Sequence, residues 1–291
     1  MTAGGGKLLN WGIFVALAFI WGSSFILIEV AIKVLNPFEV AAFRLLCAGL
    51  VLLPVAIKQF RKIPRNKFGF VLFSGLVGNF IPAILFPWAE SMVDSSLAGF
   101  LNSLTPIFVI ITGILFFQTA FQQKKIAGIL IAFIGMVVLF VANGLPDLQH
   151  VGYSSLVLIA ALMYSFNINI VGRYLNEISS MAIAAVSFAT MIPLSLFVLL
   201  ISGFYKLPFQ DPAVIKSIAA GITLGVGATA IGSIIFYMLL KRAGALFSSM
   251  IMYGMPFVAL FWGLLAGEHI SALQIIGLCI ILVGVYMSSK F

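Results

Sequence analysis

The chain is 291 residues long, 63% hydrophobic and 8% charged, against roughly 45–50% and 25% in a soluble domain. With a mean hydropathy of +1.21 it has too little polar surface to coat a core in water, which excludes an ordinary soluble enzyme and makes a lipid bilayer its solvent. Sixteen Lys and Arg against eight Asp and Glu give a formal charge of +8, and the placement of those charges decides whether the excess addresses nucleic acid or sets orientation in a membrane.

Crossing the hydrocarbon core takes about 20 mostly apolar residues. Runs of that kind are expected, in chain order, at 11–32, 38–57, 68–89, 95–117, 126–143, 152–172, 179–202, 214–239, 244–266 and 271–289. The first follows Lys7 in the manner of a signal peptide, but it continues from Trp11 to about Ile32 with no small-residue cleavage site, so it reads as an uncleaved span. Asn36-Pro37, Pro64, Asn143-Gly144, Pro146-Asp147, Pro208, Asp211-Pro212 and Ala243-Gly244 punctuate the runs. Ten spans use roughly 210 residues, and the short loops that remain hold no soluble domain. The expected fold is therefore one all-α transmembrane domain, 1–291; a β-barrel would show short stretches of dyad alternation instead.

With the N-terminus in the cytoplasm, twelve of the sixteen basic residues fall in cytoplasmic loops or termini. Lys33, Lys206 and Lys216 fall outside, and Arg44 lies within span two. That bias predicts both termini inside and accounts for the charge of +8 without nucleic acid. Cys47 and Cys279 sit in apolar runs and read as small buried hydrophobes, with no metal cluster or disulfide framework expected.

The two halves resemble each other. Pro106 follows Ala98 by eight residues and Pro256 follows Ser248 by eight; Gly128 and Gly135 in span five, and Gly277 and Gly284 in span ten, are each seven apart. Trp21-Gly22-Ser23-Ser24 in span one and Tyr164-Ser165-Phe166-Asn167 in span six match more weakly. Five spans per repeat, approximately 8–144 and 151–289, require the second copy to enter from the opposite side. Inverted repeats of this kind suit a transporter that presents one midplane site alternately to each face.

Several short motifs occur in a characteristic order. They are an aromatic residue before Gly22-Ser23-Ser24, then Phe43-Arg44, Ala89, Ser95-Ser96-Leu97-Ala98 and Leu104-Thr105-Pro106 in the first half. Gly244-Ala245, Tyr253-Gly254-Met255-Pro256, Gly267-Glu268 and Gly277 follow in the second. Over essentially its whole length the chain thereby resembles the EamA-type proteins of the drug/metabolite transporter superfamily. The sequence departs from the family pattern at Gln118, where the first repeat would match Gly267-Glu268 with an acid. The resemblance implies a ten-helix bundle whose spans one, three, four, six, eight and nine enclose a central cavity, with five and ten peripheral. It also implies export or exchange of small metabolites, commonly amino acids or related compounds, across a bacterial inner membrane.

There is no phosphate-binding G-x-x-x-x-G-K-[ST] loop, so transport is expected to be secondary or facilitated, with no cofactor. Ionisable groups in mid-span are costly and mark function or pairing. Glu29 and Arg44 lie near the outer ends of the first hairpin, either locking it as a pair or, for Glu29, gating or coupling to protons. Ser24, Asn79, Asn102, Tyr164, Asn167, Thr229 and Tyr253 are polar or aromatic candidates for the cavity. The asparagines must bond other helices or contact solute. Trp88 reads as an interface anchor or a stacking residue. Pro82, Pro87, Pro106 and Pro256 are expected to kink spans three, four and nine and release carbonyls. Gly221, Gly225, Ala228 and Gly232 make a smooth face on span eight. An intramembrane enzyme finds no support, since His150 and His269 fall in loops and no span pairs acids or places His with Glu. A channel, receptor or scaffold remains the alternative to a transporter.

Overall fold

The first hairpin turns on a few residues. Asn36 Oδ1 accepts the Glu39 N–H and Glu39 Oε2 accepts the Asn36 N–H, both at 2.9 Å, and Pro37 opens the following helix with its φ already set. In the computed structural model the described residues are 3–142, 151–265 and 269–290; Gly144, Pro146, Asp147, His150, Gly267 and Glu268 lie outside them. Long apolar helices run Ala3–Ile32, Pro37–Phe60, Arg65–Glu90, Ser95–Phe117, Gln123–Ala142, Ser154–Tyr174, Ser180–Ser202, Pro212–Ser249 and Ala272–Lys290, with a shorter one at Ile251–Leu265. Pro212–Ser249 is interrupted at Gly244, whose φ of 85° a side chain would resist. It therefore contains the eighth crossing and the start of the ninth, and the predicted ten spans follow.

Four spans are irregular, and they pair across the halves. A π-helical turn occupies Leu76–Phe80 in span three and another Leu224–Ile231 in span eight. Span four breaks between Asn102 and Thr105, with Pro106 second in the helix that resumes. In span nine the break lies at Met250, where turn-type bonds run from Met250 N to Phe247 O and from Tyr253 N to Met250 O. Two of the prolines expected to kink spans stand within helices. Pro256 lies inside the continuous helix Ile251–Leu265 and Pro87 inside Ile81–Glu90; one missing N–H does not end either helix, and the distortion of span three precedes Pro82.

Reciprocal contacts trace the inverted repeat. Spans five and ten pack along each other, as do two and seven. A Cβ added at Gly128 would lie 2.7 Å from Gly284 O, and one at Gly135 2.7 Å from Gly277 O. Since Gly128 corresponds to Gly277 and Gly135 to Gly284, a two-fold operation converts one contact into the other. The glycine seams bring backbone onto backbone. An alanine at Gly284 would meet Ala132 N at 2.3 Å, so Gly284→Ala is expected to destabilise the protein by about 1–3 kcal/mol through overpacking. Gly172→Ala, whose nearest neighbour lies at 3.9 Å, is expected to leave thermal unfolding in detergent unchanged or slightly raised. Equal melting temperatures for the two variants would refute the seam.

One end of the bundle carries the twelve basic residues and is called the basic end below. Several of them tie helix ends together there. Arg173 Nη1 donates to Phe117 O, Lys241 Nζ to Asn176 O and Ile178 O, and Arg242 Nε to Asn10 Oδ1 at 3.0 Å. Carbonyls at helix C-termini have no intrahelical partner, and cations satisfy them. Of the two cysteines, Cys47 is half-buried and Cys279 is exposed on the outer face of span ten, so the expectation of two buried thiols holds for neither in full.

Candidate functional site

The irregular spans meet at a cavity of about 130 Å³. Its lining includes Ser24, Asn79, Asn102, Tyr164, Asn167 and Thr229, six of the candidates read from the sequence, together with Arg44 and Pro82. Span two therefore joins the six spans expected to enclose it. Two candidates lie elsewhere. Trp88 packs near Phe38 and Tyr153, with ring centroids at 5.5 and 6.5 Å; Tyr253 is fully buried, its hydroxyl donating to Ile129 O of span five at 3.4 Å. The expected Glu29–Arg44 pair does not form. Glu29 is exposed and pairs with Lys33, one turn on, at 3.9 Å, because its position on span one turns it away from span two.

The walls repeat under the same two-fold. Trp21 and Tyr164 hold equivalent places in spans one and six, and Phe236 follows Phe86 by the interval that separates Pro256 from Pro106. Trp21 packs on Phe236 at 5.2 Å and Phe86 on Tyr164 at 6.0 Å, so two equivalent aromatic pairs face the same space. Asn79 and Thr229 also correspond, each inside a π turn. Asn102 and Met252, each four residues before its proline, touch through Nδ2 and Sδ at 3.1 Å and lie on the axis itself. The irregular backbone is satisfied locally: Trp21 Nε1 donates to Ala228 O and Asn79 Nδ2 to Ser74 O, both at 2.9 Å. Gly78 has no side chain because the Asn167 amide occupies the place of its Cβ, 2.2 Å away.

Three residues break the symmetry. Tyr237, fully buried, binds Ser74 Oγ at 3.0 Å and accepts from Asn79 Nδ2 at 3.3 Å and Asn167 Nδ2 at 3.4 Å. With its lone pairs engaged, its hydroxyl proton goes to Ser74. This knot ties spans three, six and eight on the basic-end side of the cavity, and its equivalent position is Pro87. Arg44 lines the cavity and donates from Nε to Thr229 Oγ1 at 3.2 Å. Glu90 is buried at the other end of span three, both carboxyl oxygens without a hydrogen-bond partner.

Tyr237 and Glu90 escaped the sequence reading for a physical reason. A hydropathy run ends at its first charge, which put Glu90 in a loop, whereas Asn79, Pro82, Phe86 and Glu90 follow at steps of three, four and four and share one helical face. Tyr237 continues the face of Thr229 and Ser233 in the same way. Extending the face of a known cavity residue along its helix would have found both.

Known proteins share this architecture. A protein described as an uncharacterized transporter from Archaeoglobus fulgidus is 26% identical over 283 residues, covering 96% of this chain and 98% of its own. A protein described as an S-adenosylmethionine/S-adenosylhomocysteine transporter from Chlamydia muridarum is 24% identical over 264 residues, covering 86% and 82%. A crystal structure 16% identical in sequence superposes with a TM-score of 0.73 over 99% of this chain and 98% of that one, a likeness of fold. The description of the EamA-like transporter family matches residues 10–141 and again 152–290, and with both halves of its bundle covered the chain belongs to that family of multi-pass membrane transporters.

Proposed function

We propose that the protein is a secondary transporter, an exporter or exchanger of small metabolites such as amino acids and related compounds, working by alternating access in a bacterial inner membrane with both termini cytoplasmic. The observation that carries this reading is the cavity: equivalent aromatic walls on a two-fold axis, with a hydrogen-bonded knot on one side only. The moving units are the repeats, approximately 8–144 and 151–289. Their irregularities differ in extent, a π turn of five residues in span three against eight in span eight. Exchange of these two conformations between the halves would transfer the open side from one face to the other. The basic-end bias supports the orientation. The relative named as an S-adenosylmethionine/S-adenosylhomocysteine transporter supports membrane transport.

Cysteine pairs at each end of spans three, four, eight and nine, in a background without Cys47 and Cys279, test the cycle. Cross-linking the basic end is expected to hold the cavity accessible from the opposite face only, and cross-linking the opposite end the reverse. Transport should stop in both cases. A cavity labelled from both faces at once would make the protein a channel.

A further inference from the structure

We infer that Arg44 makes the cavity selective for solutes bearing a carboxylate, whose apolar or planar body lies between the aromatic walls; this rests on the transport reading above and names the substrate class of the same cavity. The symmetry isolates the residue responsible. A Cβ at Gly75 would meet Ser187 O at 2.9 Å, and one at Gly225 would meet Arg44 O at 2.6 Å. Gly75 corresponds to Gly225, so Arg44 corresponds to Ser187, a buried serine that donates to Val71 O at 3.0 Å. The walls are thus duplicated and the guanidinium is not: one half of a two-fold cavity carries a cation and the other does not.

That cation is incompletely satisfied. Of five guanidinium N–H groups one is used, by Thr229 Oγ1. Among the described residues the only ion pair is Glu29 with Lys33. Neither oxygen of the buried Glu90 has a hydrogen-bond partner, so this acid does not hold Arg44. Arg44 therefore faces the cavity with donors to spare and no carboxylate in contact. A planar fork of donors matches the two coplanar oxygens of a carboxylate. Arg44 is the only basic residue in the lining, which fits a monoanion better than a phosphate dianion.

Trp21 in the cavity wall reports binding. Fluorescence of the purified full chain, titrated with the shape-matched probes benzoate and benzamide and with phenyl phosphate, is expected to show benzoate binding roughly tenfold or more tightly than either. Arg44→Gln should abolish the preference and Arg44→Lys retain part of it. Thr229→Val, which removes the one hydroxyl that holds Arg44 Nε, should move benzoate binding severalfold while leaving benzamide in place, and it decides the matter even if the Arg44 variants fail to fold. Trp21→Phe should remove the signal. Equal binding of benzoate and benzamide, tighter phenyl phosphate, or benzoate indifferent to Thr229→Val would overturn the inference. So would the absence of any probe binding in a protein whose cavity still alternates, an outcome that leaves the transport reading standing. Loss of alternation with the benzoate preference intact would overturn transport alone.

Discussion

Replacing Tyr237 with Phe is expected to open the cavity toward the basic end while leaving the bundle folded. The aromatic volume is kept, so the fully buried packing of the ring survives. What disappears is the hydroxyl, with its contacts to Ser74, Asn79 and Asn167. Hydrogen bonds between membrane helices average about 0.6 kcal/mol each, so three together are worth about 2 kcal/mol, a shift of about thirtyfold between closed and open populations. A cysteine at Ser24, in the background without Cys47 and Cys279, would report it: labelling by an impermeant maleimide from the basic end should rise by roughly that factor. Labelling from the opposite face should fall. Unchanged labelling from both faces would mean that packing alone keeps the basic end shut. Ser74→Ala is a milder form of the same experiment, because it removes one of the three contacts and leaves Asn79 and Asn167 on the tyrosine oxygen.

The ten crossings were legible because burial in lipid demands long apolar runs, and nothing in the chain competes with that demand. The repeat was legible through Pro106 and Pro256 and the four glycines of spans five and ten, since a proline or a close-packed glycine leaves a residue-specific trace. The cavity was legible through its polar residues, which are too costly to face lipid. Three things were not. The partner of a charged group depends on helix rotation, and Arg44 turned out to face Thr229 of span eight instead of Glu29, its neighbour across the hairpin. The irregular backbone of span nine falls at Met250, a residue with no local signature, while Pro256 is carried within a helix. Tyr237 and Glu90 sit close to chain ends of their spans, where a window average sees the approaching loop and misses the inward face.

Gly225→Val is expected to stop the alternation of the cavity almost completely, and Gly75→Val to do so to the same degree. Gly225 is the second residue of the π turn in span eight, and Gly75 immediately precedes the π turn in span three. Each lies where two spans cross backbone to backbone. The added Cβ would stand 2.6 Å from Arg44 O and 2.6 Å from Cys47 Cβ in the first case, and 2.9 Å from Ser187 O in the second. A carbonyl fixed in a helix cannot swing aside as a side-chain end can. The crossing must widen, at a cost of about 1–3 kcal/mol. In span eight the widening also draws Thr229 away from Arg44, whose only side-chain hydrogen bond among the described residues already spans 3.2 Å. Substitution of Cys47 by Ala should not rescue Gly225→Val, because the Arg44 carbonyl stays in place. Gly227→Ala is the matched control, since nothing lies within 4 Å of its added Cβ. Accessibility exchange at a Ser24→Cys reporter, read beside thermal unfolding, separates the outcomes. Exchange slowed roughly tenfold or more in both valine variants and unaltered in Gly227→Ala would place the bearing surfaces of the motion at these two equivalent crossings. Normal exchange in Gly225→Val would instead show that spans two and eight move as one body, and the hinge would have to lie at the breaks of spans four and nine.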